Sequence, residues 1–311
     1  MQKNQQQGFK WEYAVAVVII LAIFGFIMSG LLSFFGNSNS SGGNVALISI
    51  EGEIVGTKDS GISFGAAAAA SPEIIEQIQK ADNNPQIKAI ILGINSPGGS
   101  AVASDEIADA LKKTNKTKVA WIREEGASGA YWIASASDYI VANRASVTGS
   151  IGVIASYLEF PGFLQRYNIT YRRLVAGKYK DIGSPFKDMT PEEQAFFQES
   201  LNEMRDYFVS EVAKNRHMSK KDVDKIANGL FYLGSQAKEY GLVDELGGKD
   251  EAIKYIEKKE NIKADVVEYK NQKGLLGLLS GAASQASFYA GRGIGSAFLE
   301  NRASSGFAIK T

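Results

Sequence analysis

The stretch from Ile87 to Ser100 reads IKAIILGINSPGGS, and the stretch from Lys118 to Ser135 reads KVAWIREEGASGAYWIAS. Each begins as a short apolar run rich in β-branched residues, which fits a buried strand. Each then breaks at a turn of small residues, Asn95 to Ser100 in one and Glu125 to Ala130 in the other. After the first turn a helix runs through Ile107 and Leu111, and after the second a helix begins near Ser128. A strand, a glycine-rich turn and a helix, repeated, predict an α/β domain built on a largely parallel sheet. In such sheets the functional groups sit on the turns that follow the strands.

The neighbouring segments extend this pattern. Val45 to Ile50 and Tyr139 to Ala142 read as two further strands. Gly61 to Ala70, with five consecutive alanines, has no periodicity and reads as a loop or a frayed helix. Ser71-Pro72 then supplies a capping hydroxyl and a proline at the first helical position, with Ile74, Ile75 and Ile78 on one face. Beyond Pro191 the chain reads as helical to Lys214 and again from Lys220 to Ala227. Gly234 to Leu246 reads as a short helix, a turn at Gly241 and a strand.

The amino-terminal end is of another kind. From Tyr13 to Phe35 no residue is charged. A helix of that length covers roughly 34 Å, slightly more than a hydrocarbon core of about 30 Å. A cleaved signal peptide would have a shorter apolar region, so the run is read as a transmembrane anchor. Lys3 and Lys10 precede it, and the first basic residue behind it is Lys58. The positive-inside rule therefore puts residues 1–12 in the cytoplasm and the rest of the chain outside. Gly36 to Gly43 is an uncharged Gly/Ser/Asn tether, placed within a linker of residues 36–44. The main folded domain is expected at residues 45–270, ahead of a Gly/Ala/Ser-rich tail at 271–311.

Composition removes several function classes. Lys plus Arg and Asp plus Glu both number 34, with no basic stripe, so nothing drives binding to a phosphate backbone and no nucleic-acid partner is expected. There is no cysteine, which excludes disulfides, thiolate nucleophiles and cysteine zinc sites. With one histidine, His217, a His-rich metal site is excluded too, and neither metal nor cofactor is expected.

Ser128, between small residues where a helix begins, is a candidate nucleophile, since unpaired N–H groups there can stabilise an oxyanion. The plainer reading is that it caps the helix. A nucleophilic serine needs a base. His217 lies in the charged stretch KNRHMSK, with nothing around it to fix its orientation. A desolvated lysine is the alternative, and Lys178 and Lys180 in AGKYKDIGSP, flanked by glycines, are the candidates.

Five segments in order, NSPGGS, EGASGAYWIAS, TGSIGVI, GKYKDIGSPF and LGSQAKEYGLVDELGG, resemble signal peptide peptidase A in its short, single-domain form. The similarity runs from about Val45 to Gly248, behind an anchor laid out as in that family. It implies a ClpP/crotonase-like fold of repeated β-β-α units preceded by one transmembrane helix. It also implies a serine endopeptidase with a Ser/Lys dyad, acting on signal peptides or other unfolded or membrane-associated peptides. By matching positions it makes Ser128 the nucleophile, Lys180 the general base and Ser150 the group that orients the lysine. The N–H groups of Gly98 and Gly129 would form the oxyanion hole, with Gly99 a substitute for Gly98. It further implies a homo-oligomeric ring in which one subunit's lysine serves the next subunit's serine. Two other classes compete with it: a crotonase-type enzyme acting on acyl thioesters, and a non-catalytic membrane scaffold of the same fold. The outward orientation argues against the thioester enzyme, because coenzyme A is cytosolic.

A reporter fused after Thr311 is expected to be active outside the cytoplasm, and protease added to spheroplasts should reach residues 45–270. Protection of that region in right-side-out vesicles would reverse the orientation.

Overall fold

The structure is a computed structural model that describes residues 18–26, 28–29, 42–57 and 68–270. Gly42–Lys270 forms one compact unit, and Met1–Ser41 with Asn271–Thr311 falls into another. Of that second unit, residues 18–26 are helical, with exposed apolar side chains such as Ile20, Leu21 and Phe24. Among the described residues no helix is long and apolar enough to cross a membrane. Most of the rest of the run Tyr13–Phe35, residues 1–12 expected in the cytoplasm, nearly all of the tether and the carboxyl-terminal tail lie outside the described residues.

The sheet grows from runs that can lie buried on both faces. Its central order is β10 (Val266–Tyr269), β1 (Val45–Glu51), β4 (Ala89–Ser96), β5 (Thr117–Ala127), β6 (Tyr139–Ala142) and β9 (Glu245–Leu246). All these neighbours pair in parallel. Side chains alternate with a period of two, so strands such as β1, β4, β5 and β6 feed two cores. Ile90, Leu92 and Ile94 join the larger core, with Ile48, Ile50 and Ile122. Ala89 and Ile91 face the smaller one, with Val119, Val141, Ala252 and Ile256. The larger core is covered by α1 (Ser71–Asn83), α2 (Ala101–Lys113), α3 (Gly129–Ser135) and α5 (Pro191–Asn215), and the smaller by α8 (Lys249–Glu260).

The expectation of a mainly parallel α/β sheet holds, and the fold fits the ClpP/crotonase-like class. The structure alters it at three places. Ala68–Ala70, at the end of the alanine run, is a strand (β3) paired with β2 (Glu53–Val55), while residues 58–67 lie outside the described residues. Ser71 does not cap α1: it is the helix's first residue, fully buried, and its hydroxyl donates to Glu106 Oε2 at 2.6 Å. Burial beside a carboxylate on α2 gives that hydroxyl a better acceptor partner than the helix end does. Finally, β5 runs on through Gly126 and Ala127, leaving β6 after Ile122 to pair with β7 (Val147–Gly149). Strand β7 in turn pairs antiparallel with β8 (Phe231–Leu233). That hand-over brings the Gly149-Ser150 corner beside Ser128.

Between β7 and β8 lie α4 (Pro161–Arg166), α5 and α6 (Lys220–Ile226). Residues 152–190 leave the sheet as a largely exposed arm, closed on itself where Phe160 N–H donates to Pro185 O at 2.7 Å. The chain returns to the body along α5, whose capping box joins Thr190 and Glu193. Arg216, the C-cap of α5, fixes its far end. Its guanidinium donates to both Asp244 oxygens, at 3.0 and 2.6 Å, and to Gly241 O, while its side chain is 8% exposed. Asp244 also accepts the Ile140 N–H of β6 at 2.7 Å.

Arg216→Ala leaves that carboxylate without its counter-charge and should lower unfolding stability by about 3 kcal/mol, the cost typical of breaking a buried pair. Urea denaturation measures it, and a loss within experimental error would refute the anchoring role.

Candidate active site

At the end of β5 the chain turns through Ser128 with φ +52° and ψ −125°, a backbone state uncommon for a residue with a Cβ. Such a conformation costs about 1–3 kcal/mol and persists only where the surroundings impose it. Here Ser128 N–H donates to Gly149 O at 2.8 Å, and its carbonyl accepts Trp132 N–H at 3.0 Å. The hydroxyl makes no cap bond to α3, so the plainer reading of Ser128 as a helix cap fails. A strand-to-helix elbow of this shape presents the hydroxyl outward.

The turn after β4 packs directly on this elbow. A Cβ at Gly98, where φ is +101°, would stand 2.8 Å from Gly129 N and 2.9 Å from Ser128 Cβ. At Gly129 it would stand 2.3 Å from Ser104 Oγ and 3.5 Å from Gly99 N. A Cβ would strain the backbone at Gly98, and at Gly129 it would force the Ser104 side chain to shift. Gly98 N–H is buried and donates to Ser96 Oγ at 3.1 Å. Among the described residues the N–H groups of Gly99 and Gly129 have no acceptor. Gly99 is exposed and Gly129 buried.

Ser128 and Ser150 line one open cavity of about 530 Å³, with Gly152, Val153, Ile154, Arg205, Ala227, Asn228 and Gly229. Ser150 also has a positive φ, +49°, and its hydroxyl donates to Gly229 O at 3.3 Å.

Lys180 does not line this cavity. It is exposed on the arm, in the turn following Gly177, and among the described residues its ammonium makes no hydrogen bond or ion pair. Lys178, the other lysine of that turn, is bound at 2.6 Å to Glu192, and this hydrogen bond raises its pKa and holds it charged. Tyr179 donates to the same carboxylate, and Asp181 is held by Arg173. Lys180 is thus a free amine between anchored neighbours. His217 is exposed in the turn beyond α5 and is not among the residues lining the Ser128 cavity.

Two residues of this site were not singled out from sequence. Ser104 lies on the buried face of α2 that also carries Ile107 and Leu111. Arg205 lies in the α5 stripe with Phe208, Val209 and Val212. In each case the available signal was a polar residue at a core-facing position.

Residues 110–263 match peptidase family S49, and residues 60–154 match the Clp protease family. A Methanocaldococcus jannaschii protein named as a candidate protease is 40% identical over 227 residues, 71% of this chain and 70% of that protein. A candidate signal peptide peptidase SppA of Enterococcus faecium is 34% identical over 236 residues, covering 75% and 68%. The chloroplastic serine protease SPPA of Arabidopsis thaliana is 31% identical over 248 residues, covering 77% of this chain and 36% of that one.

Gly129→Ala keeps the backbone N–H but sets a Cβ 2.3 Å from Ser104 Oγ, so it should shift that donor and cut acylation of Ser128 by a fluorophosphonate by about 100-fold while circular dichroism stays that of the folded protein. Labelling at the wild-type rate would remove Gly129 from the site.

Proposed function

Because the chain belongs to peptidase family S49 and is a serine peptidase of the SppA type, we propose that it hydrolyses peptides with a Ser128/Lys180 dyad. In this reading Ser128 Oγ attacks the scissile carbonyl carbon while the neutral Lys180 amine takes its proton. The Gly129 N–H and the N–H of the Gly98-Gly99 turn receive the oxyanion, with Gly99 the better donor because Gly98 is already bound to Ser96. Lys180 then protonates the leaving amine, and a water activated by the same amine hydrolyses the acyl-enzyme. Ser150 orients the amine by a hydrogen bond.

The observation that carries this reading is the strained Ser128 elbow, packed against the Gly98-Gly99 turn and open to the cavity that Ser150 shares. The lining of Gly152, Val153, Ile154 and Ala227 suits small or apolar substrate side chains. Released signal peptides and other unfolded or membrane-associated peptides fit that preference. Residues 13–35 would anchor the enzyme in the membrane with the catalytic unit outside the cytoplasm.

Lys180 would reach Ser128 from a neighbouring copy. In support, the arm that carries it exposes Leu158, Phe163, Tyr167 and Leu174, the last 96% exposed. Apolar side chains exposed together on one segment are what an interaction surface would present. Head-to-tail contacts between identical arms and bodies close into a ring when the rotation closes. Covering by the neighbour also excludes water, which favours the neutral form of a lysine base.

Ser128→Ala and Lys180→Ala should each abolish cleavage of a peptide substrate, whereas His217→Ala should stay near wild type. Mixed oligomers of the two inactive chains should regain part of the activity. An inactive mixture, with mixed oligomers demonstrated, would mean that the dyad is completed within one chain.

A further inference from the structure

Ser150, in its left-handed conformation, is bonded to the loop between α6 and β8. Ser150 N–H donates to Leu230 O at 3.0 Å and its hydroxyl to Gly229 O at 3.3 Å, while Gly229 N–H donates to Ile151 O at 3.1 Å. One residue earlier, Gly149 O accepts the Ser128 N–H. The loop 227–230 is therefore the wall against which both serines are set. It is itself irregular, with Gly229 at φ +84° and Asn228 Oδ1 accepting Leu230 N–H at 3.0 Å.

One side chain pins that loop to the body. From α5, Arg205 directs Nε and Nη2 onto the Ala227 carbonyl at 3.0 and 2.7 Å, and Nη2 also meets Asp224 Oδ1 at 2.8 Å. Ala227 is fully buried, and the Arg205 side chain is 30% exposed, at the edge of the Ser128 cavity. Charge-assisted bonds of this kind are about twice as strong as neutral ones. A lysine offers one compact charge and cannot reproduce the planar fork that grips a carbonyl from two nitrogens.

We infer that Arg205 is a positioning residue of this active site: it clamps the loop 227–230 so that Ser150 presents its hydroxyl to the base. The inference rests on the reading in which Ser128 is the nucleophile and Ser150 orients the lysine. Arg205 touches neither reacting atom and acts through Ala227, Gly229 and Ser150.

The test uses the full-length protein and its Arg205→Lys and Arg205→Gln variants, each also in a Ser150→Ala background. Peptide cleavage gives kcat and KM, and fluorophosphonate labelling gives the acylation rate of Ser128. The clamp predicts that both Arg205 variants lower kcat, by up to about 100-fold as expected for a group displaced by an ångström, with KM little changed. Labelling should slow in parallel. In the Ser150→Ala background the Arg205 substitutions should have almost no further effect, as coupled residues behave in a double-mutant cycle. Arg205→Lys keeps the stem and charge, so it reports even where Arg205→Gln does not fold. Wild-type kcat in Arg205→Lys, or an undiminished loss in the Ser150→Ala background, overturns the clamp. Failure of a fluorophosphonate to label Ser128 in the unmodified protein overturns both the clamp and the reading beneath it.

Discussion

The close approach of two backbone turns governs this molecule. The Gly98-Gly99 turn, after β4, lies so near the Ala127-Ser128-Gly129 elbow, after β5, that a Cβ at Gly98 would stand 2.8 Å from Gly129 N and 2.9 Å from Ala127 O. The approach follows from adjacent parallel strands that end at the same level, with the register shifting between Ile94 and Ser96. Parallel pairing aligns the strand ends on one side of the sheet, so the turns that follow must share that side. Glycine at 98 lets the two turns lie in contact, and Ser128 keeps its positive φ between the bonds to Gly149 O and from Trp132 N–H.

The rest of the site hangs on that contact through hydrogen bonds. Because β5 outruns β6, Gly126 and Ala127 can pair with β7, and β7 ends where Gly149 and Ser150 meet Ser128. The antiparallel β7–β8 pair then draws in the loop 227–230, which Arg205 ties to α5. The elements that shape the serine are buried and mutually bonded. The turn that carries Lys180 is exposed and held by ion pairs such as Lys178–Glu192 and Arg173–Asp181. Exposed pairs of this kind stabilise weakly.

Much of the fold was legible because apolar runs and punctuation agreed. Val45 to Ile50, Ile87 to Ile94, Lys118 to Ile122 and Tyr139 to Ala142 all lie within or across strands of the central sheet. Shorter strands escaped notice, since three-residue pieces such as Ala68–Ala70 and Val147–Gly149 are too brief to show a period. Ser71 was misread because a hydroxyl before proline has the same local pattern whether it caps its own helix or, as here, reaches Glu106 on another.

By itself the sequence determined the alternation of strand, glycine turn and helix, the absence of thiol and His-rich metal chemistry, and which serine stands at an elbow. These are local properties, set by side-chain volume, branching and backbone freedom over a few residues. Tertiary structure alone decided that Gly98 N–H is occupied by Ser96 while Gly99 N–H is not. It alone tied Lys178 to Glu192 and brought Arg205 to a loop 22 residues further along the chain. Each of these depends on where a donor finds its acceptor across the fold. Residue order does not encode such distances until the strands are paired.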